Sequence, residues 1–264
     1  MLILHLSDPH FGTEQPHVVS ALRQFITQHQ PELVLLGGDI TQRARRSQFS
    51  AARAFVDDLP CPALVVPGNH DIPLFNLFAR LFNPYGNYRR AFGDELEPVL
   101  EQERLLVIGL NSTTPGRHKN GEVSAAQIER VRARLARAAP QQLRIVLQHH
   151  PVRALQETDI GNLLIGHEQA VPAWVDAGLD LLLAGHIHLP YVLPLRGYQG
   201  EAGRRGWTVQ AGTALSYRVR GNVPNSFNLI RYRQPGECVA ERWDYSLLAR
   251  AFLCEERHEL PLSR

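Results

Sequence analysis

The sequence predicts an α/β fold, a largely parallel sheet carried by crossover helices and followed by an antiparallel, β-rich C-terminal third. Three observations predict it. Short apolar runs recur from the N-terminus to residue 184, and the stretches between them carry apolar residues at helical spacing. After residue 190 strand-like runs follow one another with no helix between them. Strands alternating with helices imply crossover units, which cover both faces of a parallel sheet and make its strands read as continuous apolar runs.

The elements follow in order. "LILHL" (2–6) is a buried strand, and "VVSALRQFITQ" (18–28) a helix with Val18, Leu22, Phe25 and Ile26 on one face. "LVLL" (33–36) is the second strand. "SQFSAARAFVDDL" (47–59) is the next helix, with Ser47 as its expected N-cap. "ALVV" (63–66), "RLLVIGL" (104–110), "LRIVLQ" (143–148) and "LDLLLA" (179–184) complete six strands. "NPYGNYRRAFGDELEP" (83–98) is irregular and reads as a long loop lying over a site. "YVLPLR", "WTVQAG", "SFNLIRYR" and "ECVAERWDY" are the strands expected after residue 190.

Composition narrows the function classes. A chain of 264 residues can bury a sizeable core, and it reads as one domain spanning 1–264. Hydrophobic content of 44%, charged content of 20% and a net charge of +2 exclude a disordered, fibrous or nucleic-acid-coating chain. The arginines of "ERVRARLARAA" (129–139) lie off the stripe of Ile128, Val131, Leu135 and Ala138, as on a solvated helix face. The run "QRARRS" (42–47) directly follows Asp39 and offers cations to an anionic substrate. Cys61, Cys238 and Cys254 are odd in number and far apart, which fits a reducing compartment rather than a disulfide framework. The N-terminus reads as no signal peptide, and no apolar run reaches the roughly 18–20 residues that span a bilayer. The expectation is a soluble, cytoplasmic protein without membrane insertion.

The chemistry gathers where strands end. The first strand runs into Ser7-Asp8-Pro9-His10, the second into Gly37-Gly38-Asp39, and the third into Pro67-Gly68-Asn69-His70-Asp71. The 143–148 strand runs into His149-His150-Pro151, and the 179–184 strand into Gly185-His186-Ile187-His188. In an open α/β sheet the carboxyl ends of the strands share one edge, where ligands bind. Five segments thus deliver Asp, His and Asn to one crevice. Oxygen and imidazole donors without thiolate suit Mn²⁺, Fe, Zn²⁺ or Co²⁺. They suffice for two ions bridged by a carboxylate at the roughly 3.5–4 Å spacing of dinuclear hydrolases.

The ordered set DPH (8–10), GGD (37–39), GNHD (68–71), HHP (149–151) and GHIH (185–188) resembles the calcineurin-like metallophosphoesterases. It is most similar to the bacterial branch of cyclic-nucleotide and glycerophosphodiester phosphodiesterases. The resemblance spans roughly residues 1–190, the motif-bearing core, and leaves 191–264 as a mostly β portion. It implies a four-layer αββα sandwich of two mixed sheets flanked by helices. It also implies one metal held by Asp8, His10, Asp39 and His188, and a second held by Asp39, Asn69, His149 and His186, with Asp39 bridging. His70 is then the unliganded catalytic imidazole that assists the leaving group, and His150 the surplus member of HHP. The implied reaction is hydrolysis of a small-molecule phosphodiester by a hydroxide shared between the two ions. Alternatives on the same scaffold are a phosphomonoesterase or nucleotidase, a nuclease, and a catalytically silent metal-binding protein. A small-molecule phosphoester is the expected partner, and nucleic acid is not expected.

One position departs from relatives that carry GDxxDRG. Gln42 stands where their second Asp would be, so the carboxylate that orients the catalytic histidine is missing from its usual place. Of the remaining histidines, His5 reads as a satisfied core residue and His17, His29, His118 and His258 as surface residues. His167 reads as a pocket candidate.

Overall fold

In the computed structural model, which describes residues 1–233 and 236–263, β1 (Leu2–Leu6) sets the layering. Its side chains alternate between two apolar cores, as successive residues of a strand must. Leu4 and Leu6 meet Val18, Leu22 and Phe25 of α1 (Pro16–His29), while Ile3 joins a second core between two sheets. β2 (Leu33–Gly37) repeats the split, with Val34 and Leu36 toward the helices and Leu33 and Leu35 toward the facing sheet. α2 (Arg46–Asp57) and β3 (Ala63–Val66) follow, then a 3-10 turn over Asn69–Asp71. Two short helices, α3 (Leu77–Phe82) and α4 (Gly86–Phe92), lead to β4 (Val99–Gln102) and β5 (Leu105–Gly109).

The second half builds the facing sheet. α5 (Ala125–Ala136), β6 (Leu143–Leu147), α6 (His167–Asp176) and β7 (Leu181–Ala184) continue the crossover pattern. β8 (Tyr191–Arg196) and β9 (Arg205–Gln210) close it, and β10 (Ser226–Tyr232), β11 (Cys238–Ser246) and β12 (Ala251–Glu259) return to the first sheet. The strand orders are β12-β11-β10-β1-β2-β3 and β4-β5-β6-β7-β9-β8. β1 to β3 are parallel, as are β5, β6, β7 and β9, whereas β4, β8 and β10 to β12 pair antiparallel. Leu106, Val146 and Leu182 pack outward on Trp174 and Val175 of α6 and on Val131 and Leu135 of α5. The layers are therefore αββα.

This corrects the single, largely parallel sheet that strand–helix alternation predicts, and it agrees with the sandwich implied by the family resemblance. A strand buried on both faces has the same apolar sequence whether its second face meets a helix or another sheet. Ser47 lies inside the first turn of α2, not at its cap. Arg45 occupies the cap position, and Gln48 Oε1 accepts from the Arg45 amide at 3.3 Å. The stretch 83–98 is not a plain loop, because α4 forms within it around buried Tyr88, whose hydroxyl donates to the Val65 carbonyl at 2.9 Å. Seven residues are too few to display helical periodicity. β4 and β12 were also unmarked, since both are edge strands with mostly exposed or charged side chains. Among the described residues no helix is long and apolar enough to cross a membrane.

The carboxyl ends of β1, β2 and β3 in one sheet and of β6 and β7 in the other turn toward a common basin. The backbone bonds Asp8 N to Gly38 O at 3.1 Å, His10 N to Asp39 O at 3.0 Å and Gly185 N to His149 O at 3.0 Å tie their loops together.

Candidate metal centre

The basin is built from strained backbone. Among the described residues eight non-glycine positions have positive φ, and five of them are Asp8, His10, Asp39, His186 and His188. A non-glycine residue in this left-handed region costs about 1–3 kcal/mol and persists where its surroundings over-determine it. Strain gathered on these five residues therefore marks a site rather than a set of ordinary turns. Two glycines allow the loops to close. A Cβ on Gly68 would lie 2.0 Å from the Asp39 amide nitrogen, and one on Gly185 would lie 2.2 Å from Asp8 Oδ2.

The side chains converge in two overlapping sets. In the first, His188 Nε2 lies 3.1 Å from His10 Nε2 and 3.2 Å from Asp8 Oδ1, while His10 Nε2 lies 3.7 Å from Asp39 Oδ2. In the second, His149 Nε2 lies 3.2 Å from Asp39 Oδ1 and 3.2 Å from Asn69 Oδ1, and the His186 ring stands 5.1 Å from that of His149. Donors each about 2.1 Å from one ion stand about 3.0–3.4 Å from one another, so these separations suit shared coordination. Asp39 lends one oxygen to each set.

Hydrogen bonding leaves the right atoms unspent. His149 Nδ1 donates to the Gly37 carbonyl at 2.8 Å and His188 Nδ1 to the Arg218 carbonyl at 2.6 Å, which directs the Nε2 lone pair of each ring into the basin. Among the described residues Asp8 Oδ1, His10 Nδ1 and both nitrogens of His186 are buried without a hydrogen-bond partner. Buried polar atoms are rarely left so, and here they lie on residues that could together hold a cation. The residues present fit divalent metal ions.

Charge points the same way. Burial opposes ionisation of Asp8 and Asp39, yet the imidazoles of His188 and His149 respectively hold both carboxyls well below the usual carboxylate range. Among the described residues their ion-pair partners are all histidines. Against its own burial, His149 is raised to about 9 by Asp39, and His188 is raised chiefly by Asp8. Burial pushes His10 and His186 down to about 3, leaving neutral rings with free lone pairs. A fully buried pair of carboxylates thus has, among the described residues, only imidazoles beside it for countercharge, a demand that metal cations would meet at the same place.

His70 stands at the rim, its ring 5.0 Å from that of His10 and its amide donating to Asp39 Oδ1 at 2.8 Å. Its Nδ1 donates to the main-chain carbonyl of Gln42 at 2.9 Å. The residue that replaces the orienting Asp thus orients the imidazole through its backbone. His150 is spent elsewhere, accepting from the Ser112 hydroxyl at 2.8 Å and donating to the Lys119 carbonyl at 3.0 Å. His167 starts α6, with Nδ1 on the Leu164 carbonyl, and is not brought to the site. His5 is only half satisfied: Asn228 meets its Nδ1 at 3.3 Å, and Nε2 has no partner among the described residues. His118, expected on the plain surface, lines the cleft beside His70 with Gln42, Arg43, Asn69 and Arg80, and its carbonyl accepts from the Asn69 amide at 3.4 Å.

Two residues escaped sequence reasoning. The buried carboxylate of Asp71 accepts from the amides of Gly68, Ile40 and Thr41 and from the Thr41 hydroxyl, stapling the GGD loop to the GNHD turn. Burial, then Asp39, raises its pKa to about 6. Its place in the motif was the only signal. Arg218 directs Nη1 to Gln42 Oε1 at 3.0 Å and to His70 Nε2 at 3.3 Å, while its carbonyl holds His188. It lies beyond the last motif, where nothing in the sequence sets it apart from Arg220.

A family model described as calcineurin-like phosphoesterase matches residues 1–190. The chain belongs to the calcineurin-like phosphoesterase family. Within the family it is 29% identical over 160 residues to a probable glycerophosphodiester phosphodiesterase of Arcobacter nitrofigilis, covering 60% of this chain and 57% of that one. It is 27% identical over 204 residues to a probable cyclic nucleotide phosphodiesterase of Rhodococcus erythropolis, covering 70% and 64%. The chain thus spans about three fifths of the length of these curated relatives. The calcineurin-like fold is shared with a purple acid phosphatase from yellow lupin seeds, at TM-score 0.74 and 14% identity, covering 99% of this chain and 53% of that one. A dimetal phosphatase from Danio rerio aligns at TM-score 0.70 and 15% identity, covering 100% and 99%.

Proposed function

We propose that the chain is a dinuclear-metal-dependent phosphodiesterase acting on a small-molecule diester of the cyclic-nucleotide or glycerophosphodiester type. Asp8, His10, Asp39 and His188 would hold one ion, and Asp39, Asn69, His149 and His186 the other, within a unit spanning residues 1–264. The observation that carries the reading is the carboxylate of Asp39, buried between two imidazole sets with one oxygen toward each. The printed names of the relatives favour the diester. When bound, the ions would supply Lewis acidity and an activated water.

The chain's own groups do the rest. His70, oriented by the Gln42 carbonyl, faces the cleft with Nε2; once that nitrogen has taken a proton from solvent, the imidazolium donates it to the departing oxygen. In the resting arrangement Arg218 donates to that nitrogen. An incoming phosphate oxygen is a better acceptor for the guanidinium, which leaves Nε2 free and anchors the substrate. Arg43 and Arg80 add positive charge to the cleft wall. No Ser or Cys nucleophile is required.

The test is turnover of bis(p-nitrophenyl) phosphate by Mn²⁺-loaded protein, with metal content measured beside it. The reading expects Asp39→Asn to lose both metal and turnover, and His70→Ala to keep metal while losing turnover. Full activity in Asp39→Asn would contradict it.

A further inference from the structure

Immediately after the catalytic turn, the chain places five large apolar side chains in water. Phe75, Leu77, Phe78, Leu81 and Phe82 are 67–78% exposed, and α3 buries none of its six residues. Single exposed apolar residues need no explanation, but a contiguous set does. The Phe78 and Phe82 rings lie 4.7 Å apart on one side of the helix, which makes the set a patch.

The segments beside this patch are predominantly basic. Residues 40–53 contain four arginines, 72–93 three arginines, and 112–121 an arginine and a lysine, and none of these segments contains an Asp or Glu. They adjoin: the Arg43 guanidinium lies 5.3 Å over the Phe75 ring, Arg80 donates to the Arg117 carbonyl at 2.7 Å, and Asn87 donates to the Ala44 carbonyl at 2.9 Å. Arg53 and Arg117 have acidic partners in Asp57 and Glu122. Among the described residues Arg43, Arg45, Arg46, Arg80, Arg89 and Arg90 form no ion pair. The cleft of His70 opens on this face, between Arg43, Leu74, Arg80 and His118.

We propose that this face docks on an anionic lipid surface, α3 entering the boundary between headgroups and acyl chains while the arginines meet lipid phosphates. Apolar burial and electrostatic attraction are the two terms by which interfacial helices bind such surfaces, and both are present here side by side. A helix of about 9 Å cannot span a bilayer, so the attachment is peripheral. Charge complementarity chooses the occupant. A second copy paired through this patch would set its arginines against their equivalents. Nucleic acid would use the arginines and stack on phenylalanines but leave Leu77 and Leu81 in water. The docking is a property of the surface alone, readable without turnover.

The test is cosedimentation of the whole chain with vesicles of phosphatidylcholine and with vesicles rich in phosphatidylglycerol. The proposal expects binding to the anionic vesicles, release by salt, and a loss of about tenfold or more in both Phe78→Ser/Phe82→Ser and Arg89→Glu/Arg90→Glu. Turnover of a water-soluble diester is expected to be unchanged in both variants. Vesicle binding by a chain that turns over no diester would uphold the docking while sinking the phosphodiesterase reading. Failure of the unaltered chain to bind anionic vesicles would overturn the proposal, as would equal binding by all three proteins. A dimer abolished by Phe78→Ser/Phe82→Ser without lipid binding would give the face to a second copy, and salt-sensitive capture of DNA alone would give it to nucleic acid. Either result overturns the proposal.

Discussion

The basin of strand tips and the rim around α3 are neighbours in sequence, and they are built on opposite terms. The basin is buried, carries the fully buried carboxylates of Asp8 and Asp39, and holds five of its seven candidate donors on left-handed backbone. The rim is exposed, free of carboxylates over residues 72–93 and made of short helices without strain. Chemistry at a fixed point demands donors that cannot move, so the fold there tolerates local strain for the sake of position. Recognition of a partner demands only surface of the right character, which short helices supply without a deep core. The difference teaches that the two regions should fail differently when altered.

The largest effect belongs at the centre of the basin. Asp39→Asn should lower metal content and cut diester turnover by about 100-fold or more, measured by elemental analysis and steady-state kinetics. Undiminished turnover would break the contrast at its strongest point. Next comes packing. Gly68→Ala sets a methyl group 2.0 Å from the Asp39 amide nitrogen and should cost about 2–3 kcal/mol in urea unfolding of the metal-free chain.

How much of this was legible in the sequence follows from the same contrast. The seven candidate donors and His70 could be singled out, and the strand-end loops that bring them together anticipated, because metal chemistry restricts residue types so severely that five short blocks suffice. Their strands were legible too, since β2, β3 and β7 are unbroken apolar runs and β1 and β6 are interrupted only by His5 and Arg144. The partition into two sheets was not, because the apolar alternation of β1 cannot say what its second face meets. Arg218 and Asp71 were hidden for a related reason: each acts through main-chain contacts as well as its side chain, and those contacts exist only once distant loops meet. The rim was unread because periodicity has no room to develop in α3 or α4.

Smaller effects sharpen the boundary between the regions. Burial lowers the His5 pKa from 6.5 to about 3, so its ring stays neutral in the folded chain while the unfolded chain takes up a proton. The stability it allows is present above pH 6.5 and lost as pH falls toward 3. The loss amounts to about 2 kcal/mol near pH 5. His5→Gln should flatten the decline in unfolding free energy between neutral pH and pH 5 by that amount, in the metal-free chain. Arg218→Ala should lower kcat/KM for a diester by about tenfold, partly restored by Lys, while a merely structural role would lower thermal stability instead. At the rim, Phe78→Ser/Phe82→Ser should change unfolding free energy by no more than about 0.5 kcal/mol per site, because both rings are already in water.

The central claim is that one buried carboxylate joins two cation pockets, and anomalous scattering from crystals grown with Mn²⁺ tests it most directly. The account predicts two peaks about 3.5–4 Å apart, one on each side of Asp39. A single peak, or a pair lying away from Asp39, would contradict it.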